Sequence, residues 1–178
     1  MKYFLPKTNK GFTLIEMLVA VLIFSISLVS LMTISSRGIS SNRSSQNEIS
    51  AQYFAAEGIE AVRNIRDSNY VSFQPWLTNI DQCIGEGCFL TLNTSAPFYE
   101  LNQCGSLPCD NPLEFNTADN LTGVTVGGDP TLFTRTISVE EINQDEVLIF
   151  SEVSWEQGRI LRTTTMSETL RDWQNTGV

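Results

Sequence analysis

Four groups of residues in this chain have types and spacings that could do chemistry. Glu16 is a carboxylate at the head of an apolar run, five residues after Gly11 and six after Lys10. A carboxylate deep inside a membrane segment costs about 2.5–3.5 kcal/mol even on a lenient scale, so Glu16 needs a counter-charge or a route to water. The second group is Cys83, Cys88, Cys104 and Cys109, two equal C-x4-C spacings. The third is the adjacent pair Glu140 and Glu141, which in a strand point to opposite faces and therefore read as a solvated strand end, not an acid/base pair. The fourth is the amide- and acid-rich run Asn116-Thr117-Ala118-Asp119-Asn120-Leu121-Thr122-Gly123, with Asp129 beyond it. It offers oxygen ligands of the kind calcium takes but lacks an EF-hand pattern, and it is read as a polar loop.

The chain has no histidine, which removes histidine bases, histidine-containing metal sites and Ser-His-Asp arrangements. No catalytic residue, metal site or cofactor is expected, and the chain is not expected to be an enzyme. For the cysteines, two disulfides are favoured over a four-thiolate zinc site, because structural zinc sites typically place two to four residues between paired ligands. Local pairing, Cys83 with Cys88 and Cys104 with Cys109, is the first choice among three connectivities, and such bridges belong in an oxidising compartment.

The elements that must position these groups start with a membrane segment. Residues 17–36 carry no charge and residues 12–34 are predominantly apolar. As a helix that stretch runs roughly 34 Å at about 1.5 Å per residue, enough to cross a bilayer core of about 30 Å. All three lysines, Lys2, Lys7 and Lys10, lie before it. By the positive-inside tendency they hold the N-terminus in the cytoplasm and send the C-terminal body outward. From 37 to 67 there is no proline, and Ala51, Phe54, Ala55, Gly58, Ile59, Val62 and Ile65 form one stripe at helical spacing. One helix from about 12 to about 67 is predicted, roughly 84 Å by the same rise, with Gly38 and the serines at 40–45 as its weak region. Residues 68–130 contain five of the six prolines and all four cysteines, and read as a loop-rich connection. Residues 131–178 read as three meandering strands, around 133–139, 147–155 and 160–166, turning at Gln157-Gly158. Their apolar face should cover the helical stripe. The fold class is α+β: a long N-terminal transmembrane and amphipathic helix packed on a C-terminal antiparallel sheet.

Charge narrows the partners. Without its three lysines the chain keeps eight arginines against 20 acidic residues, a formal charge of −12. No nucleic-acid binding is expected, since that rests on neutralising phosphates. Arg135, Arg159, Arg162 and Arg171 are read as scattered surface arginines, and Trp155 and Trp173 as core and edge packing.

The junction Lys10-Gly11-Phe12-Thr13-Leu14-Ile15-Glu16 closely resembles that of the type IV pilin and type II secretion pseudopilin family. The resemblance implies cleavage after Gly11 by a prepilin peptidase, which divides the chain into a leader (1–11), a polymerisation helix (12–36), its amphipathic continuation (37–67), the loop-rich connection and the sheet. It also implies N-methylation of the new terminus, Phe12, and pairing of Glu16 with the α-amino group of a neighbouring subunit. A looser resemblance to minor pilins and small pseudopilins covers Val153-Ser154-Trp155, Gly158, Arg162 and Leu170-Arg171-Asp172-Trp173.

A secretory signal cut behind Ser27 or Ser36, and an uncleaved single-pass anchor, are the other membrane readings. The apolar run is longer than a signal's h-region of about 7–15 residues, and neither reading accounts for Gly11 and Glu16. The implied function is that of a low-abundance structural subunit of a type IV pilus or a secretion pseudopilus. Its partners would be the prepilin peptidase, other pilin or pseudopilin subunits and an inner-membrane assembly platform, and its destination an extracellular or periplasmic fibre. The alternative is a membrane-mounted adhesion or ligand-binding module using residues 68–130, because exposed loops commonly carry recognition.

Overall fold

The structure, a computed structural model, describes residues 11–92, 99–105, 107–116, 121–123 and 128–173. A proline-free run gives one helix, α1 (Leu14–Val71). It passes through two compact units, Met1–Ser45 and Gln46–Val178. In the first unit every described residue up to Arg43 is exposed, the large apolar ones included. In the second unit α1 buries Ala51, Ala55, Gly58, Ile59, Ala61, Val62, Ile65, Asn69 and Tyr70. Six of the seven expected stripe residues are among them, and Phe54 is half-buried.

The helix continues past the expected end near 67 because Asn69 and Tyr70 are needed inside. The Asn69 side chain donates to the carbonyls of Trp76 (3.2 Å) and Thr78 (2.8 Å), tying down the segment that follows. Ser72 N–H then donates to Ser68 O and Gln74 N–H to Asn69 O, satisfying carbonyls that the helix end leaves open.

Among the described residues seven strands form one antiparallel sheet: β1 (Cys88–Leu92), β2 (Tyr99–Gln103), β3 (Pro112–Asn116), β4 (Leu121–Gly123), β5 (Asp129–Asn143), β6 (Glu146–Gln157) and β7 (Ile160–Arg171). The three strands expected after 131 are β5, β6 and β7, and Gly158, with φ of 69°, makes the last turn. The segment read as a loop-rich connection contributes β1 to β4 as well. Three of these have five residues and one has three, too short to show alternation among prolines, asparagines and glycines.

Strand β5 organises the sheet. One edge pairs with β6, from Phe133 with Trp155 to Asn143 with Glu146. The other is shared: Ile137 pairs with Cys88 of β1, while Thr134 and Asp129 pair with Pro112 and Phe115 of β3. Strand β6 shows regular alternation, with Val147, Ile149, Ser151, Val153 and Trp155 buried.

Two apolar clusters join helix to sheet. In one, Ile59, Val62, Ile65 and Tyr70 meet Ile137, Val139, Val147, Ile149 and Leu170. In the other, Ala51 and Ala55 meet Leu113, Phe133, Val153 and Trp155, and the ring of Phe54 packs edge-on against Phe133 at 5.2 Å. Trp155 is core, whereas Trp173 is half exposed against Tyr70 at 4.7 Å.

Arg135 corrects the reading of scattered surface arginines. It lies on β5 between helix and sheet and is 1% exposed. Its Nη1 donates to Phe54 O (2.8 Å) and to Glu57 Oε2 (3.0 Å), so the helix supplies both a carbonyl and a counter-charge. Burial pushes the guanidinium below its ordinary pKa, opposed by the Glu57 carboxylate. Of the other three arginines, Arg171 pairs with Glu146, and Arg159 and Arg162 are exposed.

Candidate functional site

The junction at the head of the chain falls where backbone geometry changes. Gly11, Phe12 and Thr13 are non-helical and exposed, Phe12 at 78%, and α1 begins at Leu14. Thr13 caps that start: its Oγ1 accepts from Glu16 N–H at 3.4 Å and its carbonyl from Met17 N–H at 3.2 Å. Thr13 and Glu16 have the T-x-x-E spacing of a capping box, and Glu16 lies in the first turn, where the helix dipole favours a negative charge. The Glu16 side chain is exposed and makes no ion pair among the described residues. Gly11-Phe12 is thus an exposed, non-helical bond just ahead of a capped helix. The lysines and the rest of the leader lie outside the described residues.

Beyond this start, four hydroxyls make themselves compatible with a lipid environment. Ser25, Ser27, Ser30 and Thr33 each donate to the carbonyl four residues earlier, Val21, Ile23, Ile26 and Val29, at 2.8–2.9 Å. No hydroxyl of this group is left without an acceptor, as an apolar solvent demands. The spacing was visible in sequence, but the back-bonding was not anticipated. By length and composition α1 is able to cross a membrane, with its most apolar window wholly exposed.

The four cysteines form the expected pairs, Cys83–Cys88 and Cys104–Cys109, with Cα atoms 5.3 and 5.2 Å apart. The two closed loops dock on each other and on β5. Cys104 N–H donates to Gly87 O at 3.0 Å, and Cys109 N–H donates to the Thr136 hydroxyl at 3.0 Å. Gly87 has φ of 50°, a left-handed conformation strained for residues with a Cβ, so the turn that brings the loops together favours glycine.

Two polar contacts near the helix end were not anticipated from sequence. Tyr70 Oη donates to Asp172 at 2.9 Å, and burial followed by this bond pushes the phenol up to about 12. Arg63 reaches Glu168 on β7 at 2.6 Å and also pairs with Glu60. Each contact joins charged or polar residues about a hundred positions apart, which no local pattern announces. Glu140 and Glu141 are both exposed near the end of β5. Of the suggested calcium ligands, residues 117–120 lie outside the described residues, and no cluster of three acidic or cysteine ligands occurs among those described.

Taken together, the chain combines a capped apolar helix, long enough to cross a membrane once and carrying a carboxylate in its first turn, with a disulfide-bearing α+β unit. Residues 6–32 match the family model of the prokaryotic N-terminal methylation motif, and the chain carries this prepilin-type motif of type IV pilins and pseudopilins. Comparison with curated proteins and with solved structures gave no match.

Proposed function

We propose that this chain is a low-abundance structural subunit of a type IV pilus or a type II secretion pseudopilus, with no substrate turnover. The observation that carries the reading is the methylation motif over residues 6–32, seated on an exposed junction ahead of a capped apolar helix. In this reading a prepilin peptidase removes residues 1–11 and Phe12 becomes the methylated N-terminus. The helix then moves from bilayer to fibre with its apolar face covered by other subunits, and Glu16 is neutralised by the Phe12 amine of a neighbour. The motif supplies the need for these partners, and the exposed apolar residues of 12–34 supply the surface.

The test is intact and N-terminal peptide mass spectrometry of the protein recovered from its native membrane or a sheared surface fraction. A chain beginning at methylated Phe12 is the expected result. One beginning at Met1, or cut beyond Ser27, would overturn processing at this junction.

A further inference from the structure

The end of α1 carries a residue that the fold alone does not require. The helix closes as a Schellman motif: Phe73 N–H donates to Tyr70 O at 3.1 Å and Gln74 N–H to Asn69 O at 2.9 Å. Phe73 therefore occupies the position just beyond the cap where glycine is usual. Its φ is 56°, a left-handed conformation that a bulky side chain adopts only at a cost. No packing offsets that cost, because Phe73 is 96% exposed. The other non-glycine residue with left-handed φ among those described is Asn79, at 66°. Both belong to one place, a pocket of about 570 Å³ between the last two turns of α1 and the segment that follows. Asn79 lines it, as do Ser72 and Gln74 on either side of Phe73. Its size falls in the small-ligand range of about 300–1,000 Å³, and backbone strain gathered around a pocket without an internal contact to balance it points to binding.

The chemistry of the walls selects the ligand. Asn64, Ser68, Ser72, Gln74, Thr78 and Asn79 line the pocket, and none of their side chains hydrogen-bonds within the chain among the described residues. Carboxamides and hydroxyls both donate and accept, and so do the hydroxyls of a sugar. No arginine or lysine lines the pocket, so an anion finds no counter-charge there. The carboxylate that is present, Asp67, is already paired with Arg66 at 2.8 Å. The one apolar lining residue, Val71, is exposed, so there is no closed apolar hole for the side chain of a peptide. The exposed ring of Phe73 adds a flat apolar face on which the C–H side of a pyranose packs. The floor is fixed in advance: the buried Asn69 carboxamide holds the carbonyls of Trp76 and Thr78, and Trp76 and Ile80 belong to the main apolar cluster. Such preorganisation lowers the ordering cost of binding.

We infer that the pocket at the end of α1 is a binding site for a short neutral saccharide, with Phe73 as its stacking residue. The site lies in the second unit, goes beyond the structural role proposed above and holds whether or not residues 1–11 are removed. The test is saturation-transfer difference NMR on the full chain in micelles of a phosphocholine detergent, whose headgroup carries no sugar. The probes are maltose, cellobiose, lactose and diacetylchitobiose, with tetraglycine as a neutral peptide and sialic acid as an anion.

The expected result is saturable, millimolar binding of at least one disaccharide, with the strongest saturation on its ring C–H protons, and none of tetraglycine or sialic acid. Phe73→Gly separates binding from folding. It relieves the left-handed strain, so the melting temperature should rise by about 2–4 °C, while disaccharide binding weakens about tenfold. Gln74→Ala keeps the backbone N–H of the motif and should weaken binding at an unchanged melting temperature. No saturable binding of any disaccharide would overturn the site, and binding of tetraglycine or sialic acid in their place would overturn the ligand class. A lower melting temperature or undiminished binding in Phe73→Gly would overturn the role of the ring.

Discussion

Gly58 is the residue on which the helix–sheet contact turns. A methyl group there would overlap Ser151 Oγ and press on Arg135 Cδ, so the close approach of α1 to β5 and β6 depends on hydrogen. In Gly58→Ala, overpacking of about 1–3 kcal/mol opposes a helix-propensity gain of about 1 kcal/mol. Sterics should win, lowering the melting temperature. The Ser151 hydroxyl is buried without a hydrogen-bond partner among the described residues, so Ser151→Ala alone should be close to neutral. Placing Gly58→Ala in that background should recover at least about 0.5 kcal/mol in a double-mutant cycle, and strict additivity would rule out the contact. Tyr70 provides a pH test. Its folded-state pKa lies near 12 against an ordinary 10.0, so folding favours the protonated phenol. That contribution is complete below pH 10 and is lost as pH rises through 12. Melting curves of the wild type and Tyr70→Phe should therefore converge over this window, and parallel curves would remove the role of the Tyr70–Asp172 bond.

At the scale of elements, the paired disulfide loops stand in for core in a region of short strands. Each closes a loop with four intervening residues, for which chain entropy gives a stabilisation of about 2 kcal/mol. The two should not be equivalent. Cys83 and Cys88 belong to the main apolar cluster, while Cys104 and Cys109 dock through Gly87 and Thr136. All four cysteines are buried, but replacing Cys83 and Cys88 by serine also removes packing from the main cluster, so this variant should melt at the lower temperature of the two; the reverse order would show that the docking of the second loop on Gly87 and Thr136 outweighs that packing. This asymmetry was not legible in sequence, although the pairings were, because spacing reports local closure and says nothing of which cluster a cysteine packs in. The helix stripe and strands β5 to β7 were legible for a related reason: each is long enough for a period of 3.6 or 2 to repeat several times. Strands β1 to β4 are defined by pairing with one another and with β5, which spacing along the chain does not report, and Arg135 was misread because a lone arginine among threonines has the signature of a surface strand. What reveals it is Glu57, a carboxylate on the helix 78 positions away.

For the whole molecule, the decisive residue is Glu16, which has two roles that must be separated. As the last residue of a T-x-x-E capping spacing its charge favours the helix start through the dipole, and as a lone carboxylate in an apolar segment it demands a positive partner. Within the chain that partner is missing among the described residues, which is why the proposed function looks for it in another subunit's N-terminal amine. Glu16→Gln preserves the size and part of the capping ability but removes the charge. If capping were the whole role, Glu16→Gln would assemble normally and only Glu16→Ala would fail. If the charge is what matters, both variants should be cleaved after Gly11 yet enter fibres about tenfold less or worse, in keeping with the loss of a charged hydrogen bond of about 1.5–3 kcal/mol. Immunoblotting of sheared fibres against the membrane pool measures this ratio, and N-terminal mass spectrometry of the same pool reports cleavage. Folding of the second unit, followed by the melting transition of residues 46–178, should be unchanged in both. Cleaved Glu16→Gln at wild-type fibre occupancy would refute the pairing of Glu16 with a neighbouring terminus while leaving processing at Gly11 intact.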